Sequence, residues 1–146
     1  MAYYGTDADE TITVTSNGGD SADGGGGNDV ITGAAGNDYL VGGLGADTIN
    51  GGAGDDVLAG AGGDDRLTGG AGVDVFQFSG AWGMDTITDF EKGLDHLDLR
   101  ATGLGYGDLQ FATSGTSTIV HVAGFGDVTI LNTVSTGLAA SDFWFT

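Results

Sequence analysis

At 146 residues the chain is one domain by length, and its twenty-one acidic residues against three basic ones leave a formal net charge of −18. That charge excludes nucleic acid, which is bound by clustered Lys and Arg, and disfavours an anionic membrane surface. No apolar run approaches a membrane span, and with no cysteine the fold has no disulfide staple.

The opening MAYYGTDADE lacks the charged and apolar regions of a cleavable leader. Two stretches follow, GTDADETIT (5–13) and TSNGGDSAD (15–23), separated by Val14; both read as worn copies of the unit that comes next. From Gly24 to Gln77 six units run without insertion: GGGGNDVIT, GAAGNDYLV, GGLGADTIN, GGAGDDVLA, GAGGDDRLT and GGAGVDVFQ. Each carries Gly at positions 1 and 4, Asp at 6 and a large apolar residue at 8. A fixed short period means that one unit cannot bury its apolar side chain alone, so neighbours must stack.

Positions 7 to 9 favour a strand, with position 8 facing inward and 7 and 9 outward. The expectation is a three-residue strand followed by a glycine turn over positions 1 to 6, with Asn28, Asn37, Asp55 and Asp64 at position 5 in a left-handed conformation. Two units then make one coil, and units n and n+2 stack into two parallel sheets. Ile31, Leu40, Ile49, Leu58, Leu67 and Phe76 line the interior. The stacking puts Asp29, Asp47 and Asp65 on one edge and Asp38, Asp56 and Asp74 on the other, stepping by about 4.8 Å. Bare carboxylates that close repel by about 3 kcal/mol at an effective dielectric of 20. A divalent cation reverses the sign, and oxygen-only ligands at variable geometry select calcium over magnesium, zinc or copper.

These units resemble the GGxGxDxUx nonapeptides of the RTX (repeats-in-toxin) family, a calcium-binding parallel β-helix. The resemblance implies an all-β fold, a right-handed parallel β-roll with a C-terminal β-strand cap. It divides the chain into degenerate repeats at 1–23, the roll at 24–77 and a cap at 78–146. It implies that Asp29, Asp38, Asp47, Asp56, Asp65 and Asp74 supply side-chain oxygens, and that Gly25, Gly27, Gly36, Gly43, Gly45, Gly52, Gly54 and Gly63 supply carbonyls. The pairs 29/47, 38/56, 47/65 and 56/74 hold four ions, and Asp20 with Asp38 is either a fifth or a cap.

Past Phe78 the period stops. DTITDFEKGLDHLDL (85–99) alternates as half-buried strands do, and it resembles the segment that follows the repeats in secreted bacterial metalloproteases and alginate epimerase repeat modules. By that resemblance Asp85, Asp89 and Asp95 are further candidate ligands, for a total of about four to seven calcium ions. The runs 117–124 and 127–134 read as strands of an antiparallel cap, with Trp82, Trp144 and the other aromatics in its core. The ending GLAASDFWFT resembles the uncleaved C-terminal signals of type I secretion substrates.

The functional expectation is an extracellular, monomeric calcium-binding module that folds on meeting external calcium, with the type I secretion machinery as a transient partner. The alternative is a calcium-dependent polysaccharide-binding or adhesion module of a larger secreted enzyme. Catalysis is not expected: HExxH and cysteine are absent, and His96 and His121 are the only imidazoles.

Overall fold

The structure, a computed structural model, describes residues 1–133 and 137–146. It contains the strands β1 (Ala2–Tyr4), β2 (Thr11–Thr13), β3 (Ser21–Gly26), β4 (Val30–Thr32), β5 (Tyr39–Leu44), β6 (Thr48–Ala53), β7 (Val57–Gly62) and β8 (Arg66–Ala71). Beyond them lie β9 (Val75–Gln77), β10 (Gly83–Ile87), β11 (His96–Asp98), β12 (Gln110–Ser114), β13 (Ser117–Val122), β14 (Gly126–Ile130) and β15 (Phe143–Trp144). Among the described residues no helix is long and apolar enough to cross a membrane.

The chain winds as a parallel β-roll. One sheet runs β1-β3-β5-β7-β9-β11-β15, and the second runs β12-β13-β14-β10-β8-β6-β4-β2. Within the repeats each residue pairs with the one two units on, so Leu40 faces Leu58 and Ile49 faces Leu67. The six position-8 side chains are fully buried between the sheets. Alternation forces this outcome, because a one-residue slip would turn the whole apolar row outward.

The strands are longer than the pattern suggests. From β5 to β8 each spans six residues, positions 7 to 9 of one unit and 1 to 3 of the next, so the turn shrinks to positions 4 to 6. Glycine has low strand preference, yet the parallel ladder runs through it, pairing Gly43 with Ala61 and Gly52 with Gly70. Neighbouring coils impose extended backbone where local propensity alone reads as turn.

Both ends of the roll continue the coil with altered spacing. At the start Ile12 pairs with Ile31 and Ala22 with Leu40, and the extra residue Val14 is buried. At the far end Ile87 stacks on Leu67 and Leu97 on Phe76, although the sequence has lost its period there. The surplus residues of these wider coils include Phe78 and Trp82, both buried; Trp82 lies against Phe78 and stacks on Phe125.

Strands β12, β13 and β14 pair antiparallel, as alternation suggests, but β14 joins the roll in parallel, against β10. The run 127–134 ends on Val134, which lies outside the described residues. The terminal strand β15 pairs with β11, and Phe143 packs with Tyr106 and Phe111. Trp144, expected in the cap core, is instead exposed on the outer face of the first sheet, as are Tyr4 and Tyr39. They occupy positions 7 and 9 of their strands, which alternation turns away from the interior.

Candidate metal centre

Every coil carries two tight turns, and their backbone geometry sets the site. The left-handed residues lie at positions 2 and 4: Gly43 has φ +111° and Gly45 +128°. None of Asn28, Asn37, Asp55 and Asp64 does so, contrary to expectation. Their side chains instead tie turn to turn. Asn28 Oδ1 accepts the Ala46 N–H at 2.8 Å, Asn37 Oδ1 that of Asp55 at 3.0 Å, Asp55 Oδ1 that of Val73 and Asp64 Oδ1 that of Met84, both at 2.9 Å. The sequence signal for this ladder was Asn or Asp at position 5 in four of the six units, read as a conformational preference when it is a hydrogen-bonding one.

The position-6 aspartates form a second ladder running the other way. The N–H of Asp29 donates to Asp47 Oδ1 at 2.7 Å, Asp47 to Asp65 at 2.8 Å and Asp65 to Asp85 at 3.1 Å, all along the second sheet. Along the first sheet Asp20 donates to Asp38 at 2.7 Å, Asp38 to Asp56 at 2.8 Å, Asp56 to Asp74 at 3.0 Å and Asp74 to Asp95 at 2.9 Å. The two rows thus take in Asp20, Asp85 and Asp95 as well as the six repeat aspartates. Glu10 occupies the slot before Asp29 and donates its N–H to that carboxylate, but its own carboxylate turns back onto Thr6.

Each ladder uses one oxygen per carboxylate. The other, Oδ2, is buried without a hydrogen-bond partner in Asp20, Asp29, Asp47, Asp56, Asp65, Asp74 and Asp85. A bare carboxylate oxygen in that position costs about 1–3 kcal/mol or more in lost hydration. These oxygens fold back over position 1 of their own unit, where a Cβ on Gly42 or Gly60 would overlap the carboxylate of Asp47 or Asp65. The invariant first glycine is therefore a matter of space.

Asp38 and Asp95 differ, since their second oxygens accept the N–H groups of Ala34 and Glu91 at 3.1 and 2.8 Å. Asp89 accepts the N–H groups of both Gly69 and Gly70, at 2.9 and 2.8 Å, which anchors the wider coil to the last repeat.

Backbone oxygens complete the arrangement. Among the described residues the position-4 carbonyls of Gly27, Gly36, Gly45, Gly54 and Gly63 accept no backbone hydrogen bond outside the strands. Gly27 O lies against the place a Cβ on Gly45 would occupy, and Gly36 O against that of Gly54. The position-2 residues Gly25, Gly43 and Gly52 sit one ladder step inside the turn, with Gly25 O facing Gly43.

The electrostatics match the burial. Burial pushes the Asp65 and Asp74 carboxyls up to about 6 and Asp85 up to about 8, with neighbouring aspartates adding repulsion and the ladder hydrogen bond opposing it. Asp47, Asp56 and Asp95 move the same way for the same leading cause. At the end of the row the Met1 amino group, bonded to Asp20, holds that carboxyl below the usual range. Among the described residues no three His, Cys, Asp or Glu side chains converge on one point. The unpartnered oxygens along these turns belong to carboxylates, hard donors of the kind that suit calcium.

A family model for the RTX calcium-binding nonapeptide repeat matches residues 4–40, 14–49 and 41–76. Two solved structures are similar over almost the whole chain, both subunits of a mannuronan C5-epimerase of Azotobacter vinelandii. AlgE6R3 is 28% identical with a TM-score of 0.62, covering 97% of this chain and 81% of its own. AlgE6R2 is also 28% identical with a TM-score of 0.60, covering 99% and 92%. No curated protein sequence matches the chain.

Proposed function

The chain belongs to the RTX calcium-binding nonapeptide repeat family, and from that premise we propose that it folds on binding several calcium ions between units n and n+2, as an exported bacterial module. The observation that carries the proposal is the pair of rows of buried Oδ2 atoms without partners. In this reading the ions lie at 29/47, 38/56, 47/65 and 56/74, with 20/38, 65/85 and 74/95 as end sites. Gly25, Gly27, Gly36, Gly43, Gly45, Gly52, Gly54 and Gly63 add carbonyls. Calcium would supply charge neutralisation and ligation; the protein supplies stacked turns that bring the oxygens together. The module has no catalytic role of its own.

Extracellular calcium sites have dissociation constants near 10⁻⁴–10⁻³ M, so at about 1 mM a site at the tight end stabilises the fold by roughly 1.4 kcal/mol. Five such sites give about 7 kcal/mol, the size of a domain's whole stability. At submicromolar calcium that contribution vanishes, which would keep the chain unfolded and competent for type I export inside the cell. The terminal residues 137–146 would serve as the export signal before they fold into the cap. Circular dichroism in a calcium titration tests the reading: β-structure should appear between micromolar and millimolar ion. Equal β-content in chelator and in millimolar calcium would refute it.

A second reading, polysaccharide binding by the folded module, is favoured by the similarity to subunits of a mannuronan epimerase and by the exposed tyrosines of the first sheet.

A further inference from the structure

The outer face of the first sheet carries side chains that neither the ion rows nor the core uses. Its two outward rows follow from the strand register. One contains Ser21, Tyr39, Val57, Val75 and His96; the other contains Tyr4, Asp23, Val41 and Ala59, then Gln77, Asp98 and Trp144. Tyr4 is 79% exposed and Tyr39 46%. Between them is a cleft of about 170 Å³, with Ser21 and Asp23 on its floor and Val41 beside it.

Tyr39 does not stand up from the sheet. Its hydroxyl donates to Gln77 Oε1 at 3.1 Å, from β5 to β9, two strand steps or about 9.6 Å along the roll. That reach lays the side chain along the roll axis over β7, where the outward-pointing Ala59 is only 9% exposed. The phenol is anchored and one ring face is left to solvent. Asp23 has one oxygen held by the Gly25 N–H at 3.1 Å, leaving the other as an acceptor. At the far end Arg100 is engaged twice, bonded to Asp98 at 2.9 and 2.7 Å and lying over Trp144.

We infer that this face binds an uncharged polysaccharide lying along the roll axis, with sugar rings on Tyr4 and Tyr39 and hydroxyls on Asp23 and Gln77. A pyranose has an apolar C–H face that covers an aromatic ring, and equatorial hydroxyls that need acceptors at its rim; this surface alternates the two. An anchored tyrosine binds with little loss of side-chain entropy. Charge decides against a polyanion. Asp23 is uncompensated on this face, and of the three basic residues Arg100 is committed to Asp98, Arg66 lies in the second sheet and Lys92 in the loop between β10 and β11.

The inference rests on the second reading above, narrowed from the acidic polymer of the similar epimerase to an uncharged one, so the test first confirms β-structure by circular dichroism in 2 mM calcium. Failure of calcium-dependent folding and failure of sugar binding are then read separately. Calorimetry on the folded, calcium-loaded chain uses cellohexaose, xylohexaose and mannohexaose, with oligogalacturonate as the charged contrast. At least one neutral hexasaccharide should bind; Tyr39→Ala should weaken it tenfold or more and Tyr4→Ala several-fold. Thr48→Ala, on the outer face of the second sheet, should leave it unchanged. Binding of none of the three, a preference for oligogalacturonate, or an unaltered affinity in folded Tyr39→Ala overturns the inference.

Discussion

Asp65 Oδ1 accepts the N–H of Asp47 at 2.8 Å, while Asp65 Oδ2, on the same carboxylate, is buried with no partner. One side chain thus performs two separable tasks, tying coil to coil with one oxygen and offering the other inward. The division recurs along both rows, and it makes the two roles accessible to different substitutions.

Asp47→Asn keeps an acceptor for the Asp29 N–H and removes the charge. We expect fewer ions bound by calorimetry and a calcium midpoint several-fold higher, with folding still reached at high calcium. Asp47→Ala also orphans that N–H and should be less stable than the Asn variant by about 1–3 kcal/mol in urea titrations. Equal stability of the two variants would show that the ladder contributes nothing.

Acidity should act oppositely with and without metal. Burial raises the folded-state values of Asp65 and Asp74 to about 6 and of Asp85 to about 8, above the unfolded value of about 3.9. The folded chain therefore holds protons that the unfolded chain releases, and metal-free stability falls as pH rises from about 4 to about 8. In EDTA the urea midpoint of any residual structure should be higher at pH 5 than at pH 8. In millimolar calcium the order should reverse, because protons compete for the same oxygens. A metal-free midpoint that rises with pH would contradict the burial of these carboxyls.

Glycine at position 4 should not tolerate a side chain. Gly45 has φ +128°, and a Cβ there would overlap the Gly27 carbonyl. Gly45→Ala should destabilise the calcium-loaded fold by at least about 2 kcal/mol, read as a fall in thermal midpoint. Gly107→Ala, where a Cβ meets nothing within 4 Å, should change stability by less than about 0.5 kcal/mol.

Asp89 separates anchoring from ligation. Its two oxygens hold the Gly69 and Gly70 N–H groups, so Asp89→Ala should destabilise by about 1–3 kcal/mol, chiefly through the buried Gly69 N–H, since Gly70 is exposed to water. The calcium count by calorimetry should stay the same, whereas Asp85→Asn should lower it. Loss of an ion in Asp89→Ala would place that carboxylate among the ligands.

The six-unit core was legible because its period is rigid. Position 8 had to face inward from both sheets, and the register that buries Leu40 on Leu58 follows from unit length alone. The pairing of Asp29 with Asp47, and of Asp38 with Asp56, came with it. Position 5 was misread because the Asn and Asp types that favour left-handed backbone are also those whose short side chains capture a nearby N–H. Which use prevails depends on whether a donor lies one coil away, as Ala46 does for Asn28.

Beyond Gln77 the period no longer guided the reading. The coil persists there because Ile87 and Leu97 still find Leu67 and Phe76, but these partners are 20 and 21 residues apart where the repeats keep 18, so no fixed spacing announces the contacts. The parallel seam between β10 and β14 was equally hidden, since it joins strands some forty residues apart.

Sequence alone determined that nine-residue units stack two to a coil, that one apolar row fills the interior and that acidic rows run along its edges, all consequences of strict periodicity under alternating side-chain direction. Tertiary structure decided which oxygen of each carboxylate stays free and where the roll meets its cap. It also laid Tyr39 flat against the first sheet. Those outcomes depend on donors and surfaces brought together from distant parts of the chain, which no local pattern encodes.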